Sequence, residues 1–202
     1  MSHHYDVGND FYRLILGPSM VYSCAYWTQE PGPQYRLEDA QRDKCELVCT
    51  KLGLKPGMRL LDVGCGWGSL AIHAATRYGV SVVGITVSQE QARLAREQVA
   101  EAGLTHRVQI RVQDYRDVAD GPYDAISSVG MSEHVGSAQL QGYGQTLMDL
   151  LLPAPNLTAV TPAARRWRQL RPIPWWWATR WITSGRSSTV KMSPSKSTSP
   201  ET

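Results

Sequence analysis

The segment 60–68 carries the residue types in this chain best suited to chemistry. It reads Leu-Leu-Asp-Val-Gly-Cys-Gly-Trp-Gly, which predicts a buried strand that ends in a glycine turn and leads into a helix. A dinucleotide-binding GxGxxG loop does not fit, because Ser69 stands where the third glycine belongs and Asp62 already lies inside the strand. Glycines at 64, 66 and 68 let the backbone approach a ligand closely, while the Asp62 carboxylate can bind a cationic or hydroxyl-bearing group.

This loop pattern indicates a particular cofactor. S-adenosylmethionine offers an ammonium, a ribose and a sulfonium, so it suits an acid beside a glycine turn. The alternative is a turn that only packs the helix against the strand. The flanking strand, acid and helix together favour cofactor binding at Asp62, Gly64, Gly66 and Gly68.

The surrounding elements alternate. The sequence predicts helices over 37–52, 69–78, from Ser88 to about 102 and from about 138 to 151, and strands over 59–63, 81–85, 108–112 and 123–129. This order indicates an α/β fold with a doubly wound sheet, in which ligands lie at the carboxyl ends of the strands. Polar residues follow those ends: Thr86, Ser88 and Gln91, then Gln113 and Asp114, then Glu133 and His134. A helix cap at Thr86 and Ser88, and a solvated turn at Asp114, are the alternatives to one shared pocket.

Length and composition set the outer bounds. The 202 residues, of which 42% are hydrophobic, suit one domain with a core, and no segment indicates a membrane span or a signal peptide. The four cysteines, Cys24, Cys45, Cys49 and Cys65, form no CxxC pair, so we expect no metal site and a reducing, cytoplasmic location. Cys45 and Cys49 follow the helical period and should face the core.

The balance of basic and acidic residues changes sign at Leu152. Residues 1–152 hold 13 Lys and Arg against 17 Asp and Glu, whereas residues 153–202 hold 8 against 1 and five of the seven tryptophans. The later segment shows no sustained period and contains many prolines. It could bind anionic lipid or nucleic acid, but a disordered extension is favoured. The predicted organisation is a helical, substrate-side segment over 1–58, a cofactor-binding core over 59–152, and an aberrant tail over 153–202.

Several motifs resemble a known family. They are His-Tyr-Asp-Val-Gly-Asn-Asp-Phe-Tyr at 4–12, Tyr-Ser-Cys-Ala-Tyr-Trp at 22–27, the 60–68 loop, 86–91, and Val-Gly-Met-Ser-Glu-His-Val-Gly at 129–136. From 4 to about 151 the chain resembles the cyclopropane-fatty-acyl-phospholipid synthases, S-adenosylmethionine-dependent methyltransferases that include the mycolic acid cyclopropane synthases. The resemblance implies a Rossmann-like class I methyltransferase fold.

The resemblance also implies a reaction: methyl transfer to the cis double bond of an unsaturated phospholipid acyl chain, followed by proton loss and cyclopropane closure. It implies that Cys24 and Glu133 are catalytic and help to hold a bicarbonate ion that removes the proton. It implies that the cofactor site is lined by Tyr22, Ser23, Gly64, Gly66, Gly68, 86–91, Gln113 and Asp114. Peripheral membrane contact is expected, nucleic acid is not, and the oligomeric state is left open.

Two departures from the family qualify this prediction. Ser132 stands where relatives commonly carry an aromatic residue, and from Pro153 the chain lacks the Pro-Gly-Gly turn and the later strands of relatives. A frameshift or truncation would explain the second departure and would leave the fold incomplete after 152, with the 123–129 strand as an exposed edge. The alternatives are therefore a non-catalytic or vestigial S-adenosylmethionine-binding fragment, a lipid methyltransferase that forms a methyl branch, and a methyltransferase for a small metabolite.

Overall fold

A parallel β-sheet forms the centre of the molecule in the computed structural model, which describes residues 9–160 and 180–182. The strands are β1 (Arg59–Val63), β2 (Ser81–Thr86), β3 (Val108–Val112), β4 (Tyr123–Val129), β5 (Leu151–Val160) and β6 (Arg180–Ile182). They lie in the order β3-β2-β1-β4-β5-β6, and every neighbouring pair is parallel. The order reverses direction between β1 and β4, and in doubly wound folds ligands bind beside this switch point.

Helices cover both faces of the sheet. They are α1 (Asn9–Leu16), α2 (Leu37–Leu52), α3 (Ser69–Tyr78), α4 (Gln89–Glu101), α5 (Ser132–Val135) and α6 (Leu140–Asp149). Successive strand residues feed two separate cores: Leu60 and Val82 pack with α2, α3 and α4, while Leu61 and Val83 pack on the face that α6 covers. Both faces are buried, which explains the nearly continuous apolar runs in β1 and β2. The predicted doubly wound α/β fold is confirmed.

Local signals place the helix ends where the sequence predicted them. The Ser88 hydroxyl oxygen accepts a hydrogen bond from the Gln91 amide at 3.3 Å and so caps α4. Gly53 and Gly79 end α2 and α3 with φ of 63° and 65°, a conformation that favours glycine. Cys45 and Cys49 are buried in the core, as the helical period predicted.

The structure differs from the prediction after β4. The helix expected over about 138–151 is α6, which covers Leu140–Asp149, and an unpredicted short helix, α5, precedes it. Gly136 separates the two helices, because its φ of 82° and ψ of 145° cannot continue a helix. Leu151 does not belong to the helix but begins β5, so the predicted division at residue 152 falls inside a strand.

The prediction of an exposed edge at β4 is wrong, because β5 pairs with β4 and β6 pairs with β5. Pro153 and Pro155 lack a backbone N–H, so the sequence argues against a strand here. The ladder passes from the pair Tyr123 and Leu151 directly to Ala125 and Asn156, so both prolines lie in an irregularity where no regular ladder bond is needed. The predictions for 161–179 and 183–202 lie outside the described residues.

Candidate active site

A cavity of about 540 Å³ opens at the carboxyl ends of the central strands. Its walls come from the loops that follow β1, β2, β3 and β4, together with α2 and the segment 20–23. Nine of the residues predicted for the cofactor site line this cavity: Tyr22, Ser23, Asp62, Gly64, Gly66, Thr86, Gln91, Gln113 and Asp114. The topology therefore brings together polar residues that are far apart in the chain.

The three loop glycines have positive φ, but their surroundings differ. A Cβ on Gly64 would lie 2.5 Å from Met131 Cγ, and one on Gly68 would lie 3.3 Å from Ala95 Cβ on α4. A Cβ on Gly66 would meet nothing within 4 Å, and Gly66 lines the cavity. The absence of a side chain at Gly64 and Gly68 thus allows Met131 and Ala95 to pack closely against the loop, while Gly66 leaves space that a bound molecule can use.

The Asp62 carboxylate is the most unusual group in the cavity wall. It is 2% exposed, and its Oδ1 accepts a hydrogen bond from the Ser127 hydroxyl at 2.7 Å. Its Oδ2 is buried without a hydrogen-bond partner. Burial raises the pKa of Asp62 to about 6, although the Ser127 bond acts in the opposite direction. An orphaned buried oxygen is rare in a protein, and this one belongs to a residue that lines the cavity.

The residues after β2 form a small hydrogen-bonded unit. The Thr86 hydroxyl donates to Gln91 Oε1 at 2.7 Å and accepts from the Ser88 amide at 3.2 Å. Thr86 and Gln91 line the cavity, whereas Ser88 is fully buried as the helix cap and does not. Gly68 also lies outside the lining, against α4.

The residues after β3 are held by an ion pair. Arg116 Nε and Nη2 donate to the two carboxylate oxygens of Asp114 at 2.8 and 2.7 Å, and the hydrogen bonds from Arg116 lower the Asp114 pKa. The side-chain amide of Gln113 donates through Nε2 to the Asp117 carbonyl at 2.8 Å. These bonds fix the loop, so Gln113 and Asp114 face the cavity from a defined position.

The two predicted catalytic residues lie beside the cavity and outside its lining. Cys24 and Glu133 are both exposed, but each is adjacent in sequence to a lining residue, Ser23 or His134. The Ser132 hydroxyl donates to Glu133 Oε2 at 3.1 Å. Their catalytic role remains a prediction.

Helix α1 explains part of the amino-terminal motif. The Trp67 indole N–H donates to Asn9 Oδ1 at 2.7 Å, and the Asn9 amide donates to the Glu90 carbonyl at 3.2 Å. The Tyr12 ring centre lies 4.9 Å from that of Trp67 and 6.2 Å from that of Tyr22. These contacts hold α1 over the glycine loop.

Sequence reasoning missed several polar or aromatic residues of the cavity wall: Lys44, Tyr115, Arg116 and Gln139. A signal for Lys44 was present, since it shares the buried face of α2 with Ala40 and Val48, where a charged residue is unexpected. Within the described residues, no group of three or more His, Cys, Asp and Glu side chains could hold a metal ion, and no helix could span a membrane.

Comparison with known proteins identifies the family. The model of the mycolic acid cyclopropane synthetase family matches residues 1–186. The chain belongs to this family. Its match extends past residue 152 into the segment predicted to be an aberrant tail, and the resemblance drawn from the motifs is confirmed.

Individual relatives cover less of the chain. A cyclopropane-fatty-acyl-phospholipid synthase of Escherichia coli (strain K12) is 50% identical over 140 residues, 69% of this chain and 34% of the relative. A probable fatty acid methyltransferase of Mycobacterium tuberculosis is 52% identical over 134 residues, 66% of this chain and 30% of the relative. The solved structure of a mycolic acid cyclopropane synthase with SAH and CTAB gives a TM-score of 0.70 at 38% identity, over 75% of this chain and 52% of that one. The chain thus spans about a third of the length of these two curated relatives.

Proposed function

We propose that this chain binds S-adenosylmethionine in the 540 Å³ cavity and is the cofactor-binding part of an enzyme that converts the cis double bond of an unsaturated phospholipid acyl chain into a cyclopropane. The observation that carries the proposal is the buried Asp62 Oδ2, which has no partner within the described residues and belongs to a residue that lines the cavity, as does Gly66 with its open space. Family membership and relatives named for lipid methylation or cyclopropane synthesis support it.

The residues present fit this cofactor. The Asp62 carboxylate suits its ammonium or ribose hydroxyls, and the amide and hydroxyl groups of Thr86, Gln91 and Gln113 offer further polar partners. A cavity of this size lies in the range that binds small molecules, roughly 300–1,000 Å³. When bound, S-adenosylmethionine supplies the sulfonium methyl group.

The chain's own residues need provide no nucleophile. In cyclopropane formation the alkene electron pair would bond to the methyl carbon as the bond from that carbon to sulfur breaks, which would leave S-adenosylhomocysteine. The resulting carbocation would then lose a proton from the added methyl group to a base as the ring closes. The protein must therefore align the reactants, exclude water and shelter a cation. Apolar lining residues such as Val63, Val129 and Met131 exclude water, and the Tyr22 ring can face a cation.

The bicarbonate ion is a separate expectation from the family resemblance. Cys24 and Glu133 are exposed beside the cavity and form no enclosed site for an anion within the described residues. We therefore derive no step through bicarbonate. We propose that Cys24 and Glu133 take part in proton removal and that the protein makes peripheral contact with the membrane that holds the lipid.

Calorimetric titration with S-adenosylmethionine tests the cofactor site, with two matched glycine variants. Gly66 and Gly103 both have positive φ, 55° and 68°, and open space at the Cβ position, but only Gly66 lines the cavity. Both Gly66→Val and Gly103→Val introduce backbone strain, while only Gly66→Val fills the site. We expect at least a hundredfold weaker binding for Gly66→Val and wild-type binding for Gly103→Val. Equal affinities in all three proteins would contradict the proposal.

Analysis of the reaction product distinguishes two other candidate functions from cyclopropane synthesis. A methyl-branched lipid product is the second candidate, supported by the relative named as a probable fatty acid methyltransferase. A non-catalytic fragment that only binds the cofactor is the third, supported by the short span of the relatives that the chain covers. Incubation with unsaturated phospholipid vesicles and isotopically labelled S-adenosylmethionine, followed by mass spectrometry of the acyl chains, distinguishes a cyclopropane, a branched chain and no product.

A further inference from the structure

Two buried polar side chains lie on a helix face that should be apolar. Gln41 and Lys44 are 4% and 8% exposed, three residues apart on α2, among Ala40, Cys45 and Val48. Burying an ammonium and an amide is unfavourable unless each finds strong partners. A carboxylate would be the usual partner for a buried lysine, yet the hydrogen bonds of Lys44 go to Ser23.

Both side chains bind the same short segment of backbone. Lys44 Nζ donates to the Ser23 hydroxyl at 2.7 Å and to the Ser23 carbonyl at 3.2 Å. Gln41 Nε2 donates to the Ser23 carbonyl at 3.0 Å and, more weakly, to the Val21 carbonyl at 3.4 Å. The amide of Tyr26 donates to the Ala40 carbonyl at 3.2 Å, which ties the same segment to α2 a third time.

This segment has no regular secondary structure of its own. Residues 21–27 form neither a helix nor a strand, and Met20 before them has a φ of 46°, which is uncommon for a residue with a side chain. Its conformation therefore depends on bonds from outside the segment. Val21, Tyr22 and Ser23 all line the cavity, and Lys44 lines it too.

The Gln41 amide shows that these bonds are maintained at a cost to the fold. Its Oε1 is buried and has no hydrogen-bond partner within the described residues, while its Nε2 donates to the Ser23 carbonyl. An apolar side chain here would avoid both the desolvation of Lys44 and the orphaned oxygen of Gln41.

We propose that Lys44 and Gln41 are positioning residues that hold the Tyr22–Ser23 wall against the cofactor cavity and thereby set the affinity for S-adenosylmethionine. The inference rests on the proposed function, because it assigns these residues to the same site. They act through Ser23 and need not touch the reacting atoms. Burial also lowers the pKa of Lys44 to about 8, so its charge is lost as the pH rises through that value.

Lys44→Met and Gln41→Met remove the polar atoms and keep an unbranched side chain. Because they remove buried polar groups, we expect melting temperatures equal to or above that of the wild type, together with at least tenfold weaker calorimetric binding of S-adenosylmethionine at pH 7. Hydrogen exchange of peptides covering 20–26 should rise in both variants. Arg42→Met removes a cation from the exposed face of the same helix. It should change neither the affinity for S-adenosylmethionine nor the hydrogen exchange of 20–26.

A pH series separates positioning from a general weakening of the fold. Wild-type affinity should fall more steeply between about pH 7 and 9.5 than the Lys44→Met affinity, because the amino group of S-adenosylmethionine titrates in both experiments and Lys44 only in the wild type. The thiols of Cys24 and Cys45 are the other titratable groups acting on Lys44. Burial raises the pKa of Cys45 to about 11, beyond this range. Cys24→Ser tests the remaining thiol, and we expect its affinity to depend on pH as that of the wild type does.

Two outcomes would overturn the inference: wild-type affinity in a folded Lys44→Met protein, or a pH dependence of its affinity as steep as that of the wild type. Should Lys44→Met fail to fold, Ser23→Ala removes the hydroxyl acceptor while α2 stays intact, and unchanged affinity there would equally refute the inference. Absence of binding by the wild-type chain would instead refute the proposed function itself.

Discussion

At the scale of single residues, Asp62 connects the fold with the cavity. It lies in β1 between apolar neighbours, accepts a hydrogen bond from Ser127, and leaves one buried oxygen without a partner in the described residues. Burial raises its pKa to about 6. A ligand that brings a positive charge to this oxygen favours the ionised form, so ligand binding and proton release are linked at Asp62.

Asp62→Asn tests this linkage through pH. The folded protein holds a proton on Asp62 up to about pH 6, whereas an unfolded chain releases it near 3.8. Ionised Asp62 therefore destabilises the ligand-free fold, and stability should fall as the pH rises from about 4 through 6. We expect this fall to be reduced in Asp62→Asn, with a gain of about 1–3 kcal/mol at pH 7 and weaker S-adenosylmethionine binding. Urea melts at pH 4.5 and 7 measure the effect, and identical pH slopes in the two proteins would contradict it.

At the scale of elements, one carboxylate joins residues of three strands. Asp120 accepts hydrogen bonds from Arg59 Nη2 of β1 at 2.6 Å, Arg111 Nη2 of β3 at 2.9 Å and the Tyr123 hydroxyl of β4 at 2.8 Å. The Arg59 guanidinium also lies 4.2 Å from the centre of the Tyr123 ring. These bonds, first of all the one from Arg111, lower the pKa of Asp120 well below its usual range.

Asp120→Asn should therefore destabilise the sheet. A lowered carboxyl pKa contributes stability that is present above the unfolded pKa of 3.8 and is lost as the pH falls below it. The Asp120 side chain is 37% exposed, so solvent screening limits the expected loss at pH 7 to about 1 kcal/mol. Urea melts provide the measurement, with Asp10→Asn as the control, since Asp10 pairs with Arg13 but is 97% exposed. A difference that is equally large at pH 3 and 7 would argue against the ionic contribution.

At the scale of the whole molecule, the sheet continues beyond the cofactor half. β5 lies between β4 and β6, so it occupies an interior position rather than an edge. Leu151 is buried in the core that β1, β2, β4 and α6 form together. Removal of β5 would leave β4, whose Ala125 and Ile126 are fully buried, as an open edge prone to pairing with other chains.

Two truncations test the importance of this strand. A chain that ends at residue 186, where the family match ends, keeps β5 and β6, while a chain that ends at residue 150 loses both. We expect the longer form to unfold cooperatively in urea with the slope of the full chain, and the shorter form to aggregate. Light scattering and urea melts check this, and a soluble, cooperative shorter form would show that β5 is dispensable.

The sequence by itself determined the alternation of helices and strands, the glycine loop and the family. These features depend on local patterns: the apolar runs of β1 and β2, the Ser88 cap, and the spacing of Gly64, Gly66 and Gly68. Such patterns specify backbone conformation within a few residues, and the carboxyl ends of parallel strands meet at one edge whatever the details. For this reason nine predicted cofactor residues line one cavity.

Only the tertiary structure decided which side chains share that cavity. Lys44 reaches the cavity wall because α2 packs beside the segment 20–23, whereas Ser88 turns inward as a cap and Glu133 stays exposed at the rim. The position of β5 was likewise undetermined, since Pro153 and Pro155 argue against a strand until the ladder irregularity opposite Tyr123 and Ala125 is known. A local period predicts which side chains share a face, but strand pairing and the partners that a side chain meets depend on contacts between distant parts of the chain.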